Sequence, residues 1–152
     1  MSLRAWRLTC IPLFEPDVER QLATAAADEL LGLAACSPER ITTSQLAYPF
    51  AKRANLVRVA AASRSWGERG ARINSISPGV ISTAMGRREL AGGSGEFMQQ
   101  MIKASGSGRV GTPDDIAGAA EFLLGPSASF LTGIDLLVDG GVIAALRTGG
   151  LT

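Results

Sequence analysis

From Ser44 to Glu68 the chain is rich in Ala, Leu, Arg and Val and free of glycine as far as Trp66, with Ser44 suited to an N-cap and Gly70 to a stop. This predicts one long helix, and any fold of the chain must be arranged around it. Pro49 limits where that helix begins. A proline has no N–H for an i−4 carbonyl, so it belongs in a first turn, where that N–H would have no intrahelical partner. Tyr48 is thereby placed near the helix start.

Downstream the periodicity changes. Ala71-Arg72-Ile73-Asn74-Ser75-Ile76-Ser77 reads as a strand ending in a turn at Pro78-Gly79. The stretch from Val80 to Gly95 is irregular and contains glycine, and Glu96 to Ala104 is helical, a combination that reads as a loop-helix lid. Thr112 caps a further helix opened by Pro113, with Asp114 and Asp115 at the positive end of its dipole and Ile116 to Leu124 as its body. Ile134-Asp135-Leu136-Leu137-Val138 is a short apolar strand closed by Asp139-Gly140-Gly141. Helix, strand, helix, strand implies a parallel sheet of the α/β class. Upstream, Pro12 to Thr43 is mixed, with one or two short helices expected between Val18 and Leu33, and reads as an excursion from the core.

With 152 residues, 46% of them hydrophobic and 19% charged, the chain has material for one globular domain. Its charge is nearly balanced, 15 Lys+Arg against 14 Asp+Glu, which leaves no electrostatic footprint for nucleic acid or an acidic membrane. There is no histidine, and Cys10 and Cys36 have no metal-ligand spacing, so a Cys/His zinc site and histidine-dependent triads are disfavoured and no metal is expected. The apolar run after Arg4 and Arg7 is too short for an export signal or a membrane span. The expectation is a soluble, cytoplasmic protein with small-molecule or protein partners.

Tyr48 and Lys52 stand four residues apart on the predicted helix. Four residues advance a side chain by roughly 400°, so both leave one face about one turn apart. A phenol titrates near about 10 when unperturbed, and a lysine cation beside it favours the phenolate, as acid/base work requires. Taken alone, so short a pattern arises often and more commonly means a solvated lysine one turn after a half-buried tyrosine. Gly106-Ser107-Gly108-Arg109-Val110-Gly111 formally matches the G-x-G-x-x-G phosphate fingerprint, but a helix precedes it and the next begins only at Pro113. Its predicted role is a mobile hinge after the lid. Met85, Leu90, Phe97, Met98 and Met101 in the lid suit an apolar substrate or plain packing.

The order of the blocks is specific. Tyr48-x-x-x-Lys52 opens a long helix; Gly67-Glu68-Arg69-Gly70-Ala71-Arg72-Ile73-Asn74 leads into a strand; Ser77-Pro78-Gly79-Val80-Ile81-Ser82-Thr83 follows it. Gly108-Arg109-Val110-Gly111-Thr112-Pro113-Asp114-Asp115-Ile116-Ala117 opens the next helix, and Phe130-Leu131-Thr132-Gly133 and Val138-Asp139-Gly140-Gly141 close the series. From Tyr48 to about Val142 the chain resembles the short-chain dehydrogenase/reductase family. The resemblance implies an α/β, partial Rossmann-type domain with a doubly wound parallel sheet. It implies an NAD(P)-dependent oxidoreductase that interconverts an alcohol and a carbonyl by hydride transfer. Tyr48 is then the acid/base on the substrate oxygen, and Lys52 assists it and binds the nicotinamide ribose hydroxyls. The backbone at Ile81 and the hydroxyl of Thr83 match positions that hold the nicotinamide carboxamide, and Pro78 and Gly79 shape that turn. The implied catalytic residues are Tyr48 and Lys52; the implied contacts to NAD or NADP are Tyr48, Lys52, Pro78, Gly79, Ile81 and Thr83.

The family's N-terminal half, with its T-G-x-x-x-G-x-G turn and N-A-G motif, has no counterpart in the sequence: before Gly67 the one glycine is Gly32. The expectation is therefore a single incomplete domain over 1–152 that lacks the first βαβ units, with short helices over 1–43, the catalytic half over 44–142 and a tail over 143–152. Ser2, Thr9, Ser37 and Ser44 are the hydroxyls near the place of the family's substrate-orienting serine, none in its motif, and Met1 to Cys10 reads as a remnant of the preceding strand. Missing strands would leave a bare sheet edge and an apolar face. This supports a second expectation, a truncated, inactive remnant or pseudoenzyme that keeps the oligomerisation half. It would form a homo-oligomer or bind a full-length relative through Pro113 to Val142. The charge that chooses between NAD and NADP belongs to the missing half.

Overall fold

A computed structural model describes residues 14–149. Cys10, Trp6 and the expected strand remnant at Met1 to Cys10 lie outside the described residues. The architecture is α/β, rich in helix with a small parallel sheet, and the described residues divide into two units: 14–75 with 132–134, and 76–131 with 135–149.

The first unit is helical. Helix α1 (Pro16–Thr24) places Pro16 at its start, where a missing N–H costs nothing, and Asp17 and Glu19 in its first turn near the positive end of the dipole. Two 3-10 turns follow, Leu30–Gly32 and Ala34–Cys36, and then the long helix α2 (Ser44–Gly67). Far from being an excursion, α1 packs along α2. Val18 and Leu22 share one face, and Leu22 is buried. Arg58 of α2 donates to the Leu22 and Ala25 carbonyls at 3.0 and 2.8 Å, filling acceptors that the end of α1 leaves open. Thr43, rather than Ser44, caps α2, its hydroxyl accepting from the Leu46 N–H at 3.3 Å. Pro49 consequently sits in the second turn, not the first. A proline in a helix interior costs about 3 kcal/mol; here the ring is fully buried, and its burial offsets part of that cost. Gly70, at φ +71°, ends the α2 region in the left-handed conformation that glycine adopts freely, as the Ala71 N–H turns back to the Trp66 carbonyl at 3.0 Å.

The second unit holds the paired strands and the segment from Pro78 to Thr83. Strands β1 (Ser75–Pro78) and β2 (Asp135–Val138) pair in parallel. Helix α3 (Ala84–Ala91) occupies part of the stretch expected to be irregular, because Thr83 supplies a cap that the sequence pattern did not reveal. Helices α4 (Gly95–Ala104) and α5 (Pro113–Leu124) match their expected spans closely, and α6 (Val142–Arg147) forms where a tail was expected. Met98, Met101 and Ile102 of α4 are buried, as are Val142 and Ile143 of α6, and the two helices pack together. Met98 and Met101 are therefore packing residues; Met85, in contrast, is exposed.

The expected mobile hinge between α4 and α5 is fastened at several points. Buried Ser105 donates to the Ile102 carbonyl at 2.7 Å and accepts from the Gly108 N–H at 3.2 Å. Arg109 grips Asp115 with two bonds of 2.7 Å, and Asp115 also accepts from the Thr112 N–H while Thr112 caps the Asp115 N–H, a reciprocal capping box. The Arg109 guanidinium, followed by the Thr112 N–H and hydroxyl, holds the Asp115 carboxyl well below the usual carboxylate range. A carboxyl depressed on folding stabilises the protein above its unfolded titration near about pH 4, and this contribution is lost as pH falls from there through the folded value. Thermal unfolding followed by circular dichroism should thus show Arg109→Ala less stable than wild type near neutrality, with the difference shrinking below about pH 4. A Tm deficit that stays constant into acid would contradict this.

Candidate active site

In the first unit, α2 carries Tyr48 and Lys52 on one stripe. Tyr48, Ala51, Lys52 and Asn55 are exposed, whereas Pro49 is buried and Phe50, Arg53 and Ala54 are half-buried on the opposing side. The Lys52 ammonium lies 5.5 Å from the Tyr48 ring centroid, within cation–π range. The phenol is 52% exposed, open to a reacting partner from solvent. The hydroxyl of Ser44 bonds to Gln45 Oε1 at 3.3 Å. No hydrogen bond joins Ser37 or Ser44 to Tyr48 among the described residues, and Ser2 and Thr9 lie outside them.

In the second unit, Pro78, Gly79, Ile81 and Thr83 form one continuous segment. The expected turn at Pro78-Gly79 is instead extended backbone. The Gly79 N–H continues the ladder to the Val138 carbonyl at 3.0 Å, and Ile81 bridges Gly111 in parallel. Glycine is needed at 79 for proximity: a Cβ there would lie 2.7 Å from the Asp139 Cα. The Ile81 carbonyl accepts from the Thr83 N–H at 2.7 Å, while nothing among the described residues accepts from the Ile81 N–H. Thr83 Oγ1 accepts from the Gly86 N–H at 3.1 Å as the N-cap of α3. A hydroxyl so used still has its O–H to donate. The segment thus presents two donors, a backbone N–H and a hydroxyl, within three residues of each other in the chain.

Two features went unread in the sequence. Asp139 accepts from the Gly141 and Ile143 N–H groups at 2.9 and 2.7 Å and so starts α6, an Asx-type arrangement that Asp139-Gly140-Gly141 signals. The Arg109–Asp115 pair was legible only as two opposite charges six positions apart. It fastens the loop that receives Val80 to Ser82: the Gly111 N–H donates to Val80 and the Gly111 carbonyl accepts from Ser82.

The glycine-rich loop is poorly suited to hold phosphates. The N–H groups of Ser107, Gly108 and Gly111 are spent on the Gly140, Ser105 and Val80 carbonyls, so the glycine-rich loop has few donors left for a pyrophosphate. Gly32 lies in a 3-10 turn with an ordinary φ and builds no cradle. Among the described residues no group of three or more His, Cys, Asp or Glu is placed to hold a metal ion, and no helix is long and apolar enough to cross a membrane.

Known proteins are similar to this chain in sequence and fold. A family model described as enoyl-(acyl carrier protein) reductase matches residues 17–143. The short-chain dehydrogenase/reductase bsc3 of Alternaria brassicicola is 43% identical over 129 residues, which are 85% of this chain and 47% of that protein. A solved structure described as 2-deoxy-d-gluconate 3-dehydrogenase from Agrobacterium tumefaciens, with bound NADP, has a TM-score of 0.59 at 32% identity, covering 65% of this chain and 39% of that one. A structure of 4-hydroxyisoleucine dehydrogenase complexed with NADH has a TM-score of 0.57 at 32% identity, covering 64% and 40%. The chain spans about half the length of the curated relatives it matches. The matched region begins at residue 17 and so takes in α1, well before Tyr48. Since Thr83 caps α3, Thr83→Ala should lower stability by about 1 kcal/mol and Thr83→Ser should retain most of it, as read from thermal unfolding.

Proposed function

Because this chain belongs to the short-chain dehydrogenase/reductase family, we propose that it carries the proton-transfer half of an NAD(P)-dependent oxidoreductase acting on an alcohol or a carbonyl. The observation that carries this reading is the Tyr48–Lys52 pair, one turn apart on a solvent-facing stripe of α2, with the ammonium 5.5 Å from the ring. Tyr48 is the proton donor to a carbonyl oxygen, or the acceptor of a proton from an alcohol in reverse. Lys52 has three N–H donors on a flexible stem, which suit the hydroxyls of a nicotinamide ribose and keep a positive charge beside the phenol.

The segment from Pro78 to Thr83 is assigned to the nicotinamide carboxamide. The Ile81 N–H, which has no acceptor among the described residues, and the Thr83 O–H are both donors suited to its carbonyl oxygen, and Gly79 lets that segment run close against Asp139. The dinucleotide, when bound, supplies or accepts the hydride. Relatives are described with NADH or with NADP, and either is compatible with the residues assigned here. Calorimetric titration with NADH and NADPH should show saturable binding to one of them. Tyr48→Phe should reduce turnover by roughly 10²- to 10⁴-fold with little loss of cofactor affinity, and Lys52→Ala should impair both. An unchanged rate in Tyr48→Phe would remove the assigned role.

A second reading is an inactive remnant that associates with another copy or with a full-length relative. It is favoured by the chain's span of about half its relatives and by large apolar side chains left in solvent in the second unit: Phe130 is 100% exposed, Leu124 83% and Phe122 45%. Light scattering on this reading should report a stable oligomer that Phe130→Ser weakens. A monomer that binds cofactor would count against it.

A further inference from the structure

Helix α2 meets α1 through a second basic residue, one position past Lys52. Arg53 Nε donates to Glu19 Oε1 at 2.7 Å and Nη2 to Oε2 at 2.9 Å, a fork-to-fork ion pair. The pair is largely shielded, with 19% and 22% of the side chains exposed. Among the described residues no comparable ion pair ties the turn that carries Tyr48. There the helix contains Pro49, which cannot bond to the Gln45 carbonyl, so the backbone ladder is weakest beside the phenol. The apolar contact at that level is modest: Phe14 and Phe50 meet edge to face at 4.9 Å, beside a cavity of about 300 Å³ that Pro49 and Phe50 also line. Apolar contacts have little directional preference and constrain the rotation of a helix about its axis less tightly than a directional ion pair does.

A rigid charged fork, in contrast, has one geometry. On a helix, residue 53 is offset by one position from residue 52 and by five from residue 48, so clamping Arg53 to α1 sets the directions of both neighbouring side chains. We infer that Glu19 is a positioning residue for the Tyr48–Lys52 pair: through Arg53 it fixes the rotation of α2 that keeps the stripe shared by the phenol and the ammonium turned to solvent. Arg58, one and a half turns further on, anchors the same helix to the end of α1, so the two arginines hold α2 at two levels. The importance of this positioning for catalysis rests on the oxidoreductase reading above; the positioning itself does not.

The test needs neither cofactor nor turnover, so its result and that of the cofactor titration are separable. Tyr48 is the chain's single tyrosine, and isotope-labelled tyrosine gives one set of ring signals in the NMR spectrum. The broadening of that ring by a soluble paramagnetic probe, which reads how far Tyr48 is turned to solvent, and amide exchange over residues 48–53 are compared in wild type, Glu19→Gln, Arg53→Lys and the charge-swapped Glu19→Arg/Arg53→Glu protein. In Glu19→Gln and Arg53→Lys the broadening should fall about twofold as the ring loses its outward orientation, and those amides should exchange about tenfold faster while far-UV circular dichroism is kept. The charge-swapped protein should regain both. A general loss of stability would not change the ring's exposure in the folded molecule. Unchanged broadening in both single variants, or its failure to recover in a folded charge-swapped protein, would overturn the proposal. If the single variants do not fold, the charge-swapped protein decides it alone.

Discussion

The helical unit depends on an external hold for a helix that is weak where its chemistry lies. Pro49 removes one backbone bond from the second turn of α2, and Tyr48 is its immediate neighbour. Helix propensity cannot make good that loss, since every other residue of the turn already contributes what it can. The compensation comes from α1: Leu22 is buried, the Phe14 and Phe50 rings meet edge to face, and the Leu22 and Ala25 carbonyls are capped by Arg58. The arginine closes two open acceptors with one guanidinium. α1 is therefore part of the site's support.

The second unit solves a different problem, fixing a short segment from Pro78 to Thr83 that bends at Val80 and again at Thr83. Among the described residues β1 and β2 are the one pair of named strands, and Ile81–Gly111 adds a single parallel bridge, which is little sheet on which to hang the segment from Pro78 to Thr83. The remaining order comes from polar contacts. Gly111 gives and receives bonds from Val80 and Ser82, and Arg109 and Thr112 bind Asp115 from two sides. Such loops are ordered by satisfying backbone groups more than by burying area, which accounts for a glycine-rich stretch that is fastened at several points.

The two assignments carry different consequences for function. The family relationship, the nicotinamide-side donors and the Tyr48–Lys52 stripe support oxidoreductase chemistry. The spent N–H groups of the glycine-rich loop and the chain's half-length span of its relatives leave the phosphate end of a dinucleotide without residues assigned to it here. Exposed Phe130, Leu124 and Phe122 give the same chain an apolar surface suited to a protein partner. An oxidoreductase half that works with another chain would accommodate both sets of observations.

Much of the fold was legible because its signals are local. The span of α2, the Thr112 cap with Pro113 behind it and the short apolar strand before Asp139 are written in neighbouring residues, and so is the four-residue spacing of Tyr48 and Lys52. Local signals misled where a distant partner decides. Pro49 was assigned to a first turn because its burial beside Phe14 and Phe50 could not be foreseen; Pro78-Gly79 was read as a turn because the need for glycine there arises from Asp139, far along the chain. The segment holding α1 passed for an excursion, since its acceptors for Arg58 and its carboxylate for Arg53 become meaningful only once α1 and α2 lie side by side. The sequence by itself determined which residues have the chemistry, because side-chain type and helical spacing are local properties. Tertiary structure alone decided which way they face and what holds them there, because ion pairs, close backbone approaches and burial join residues that the chain keeps far apart.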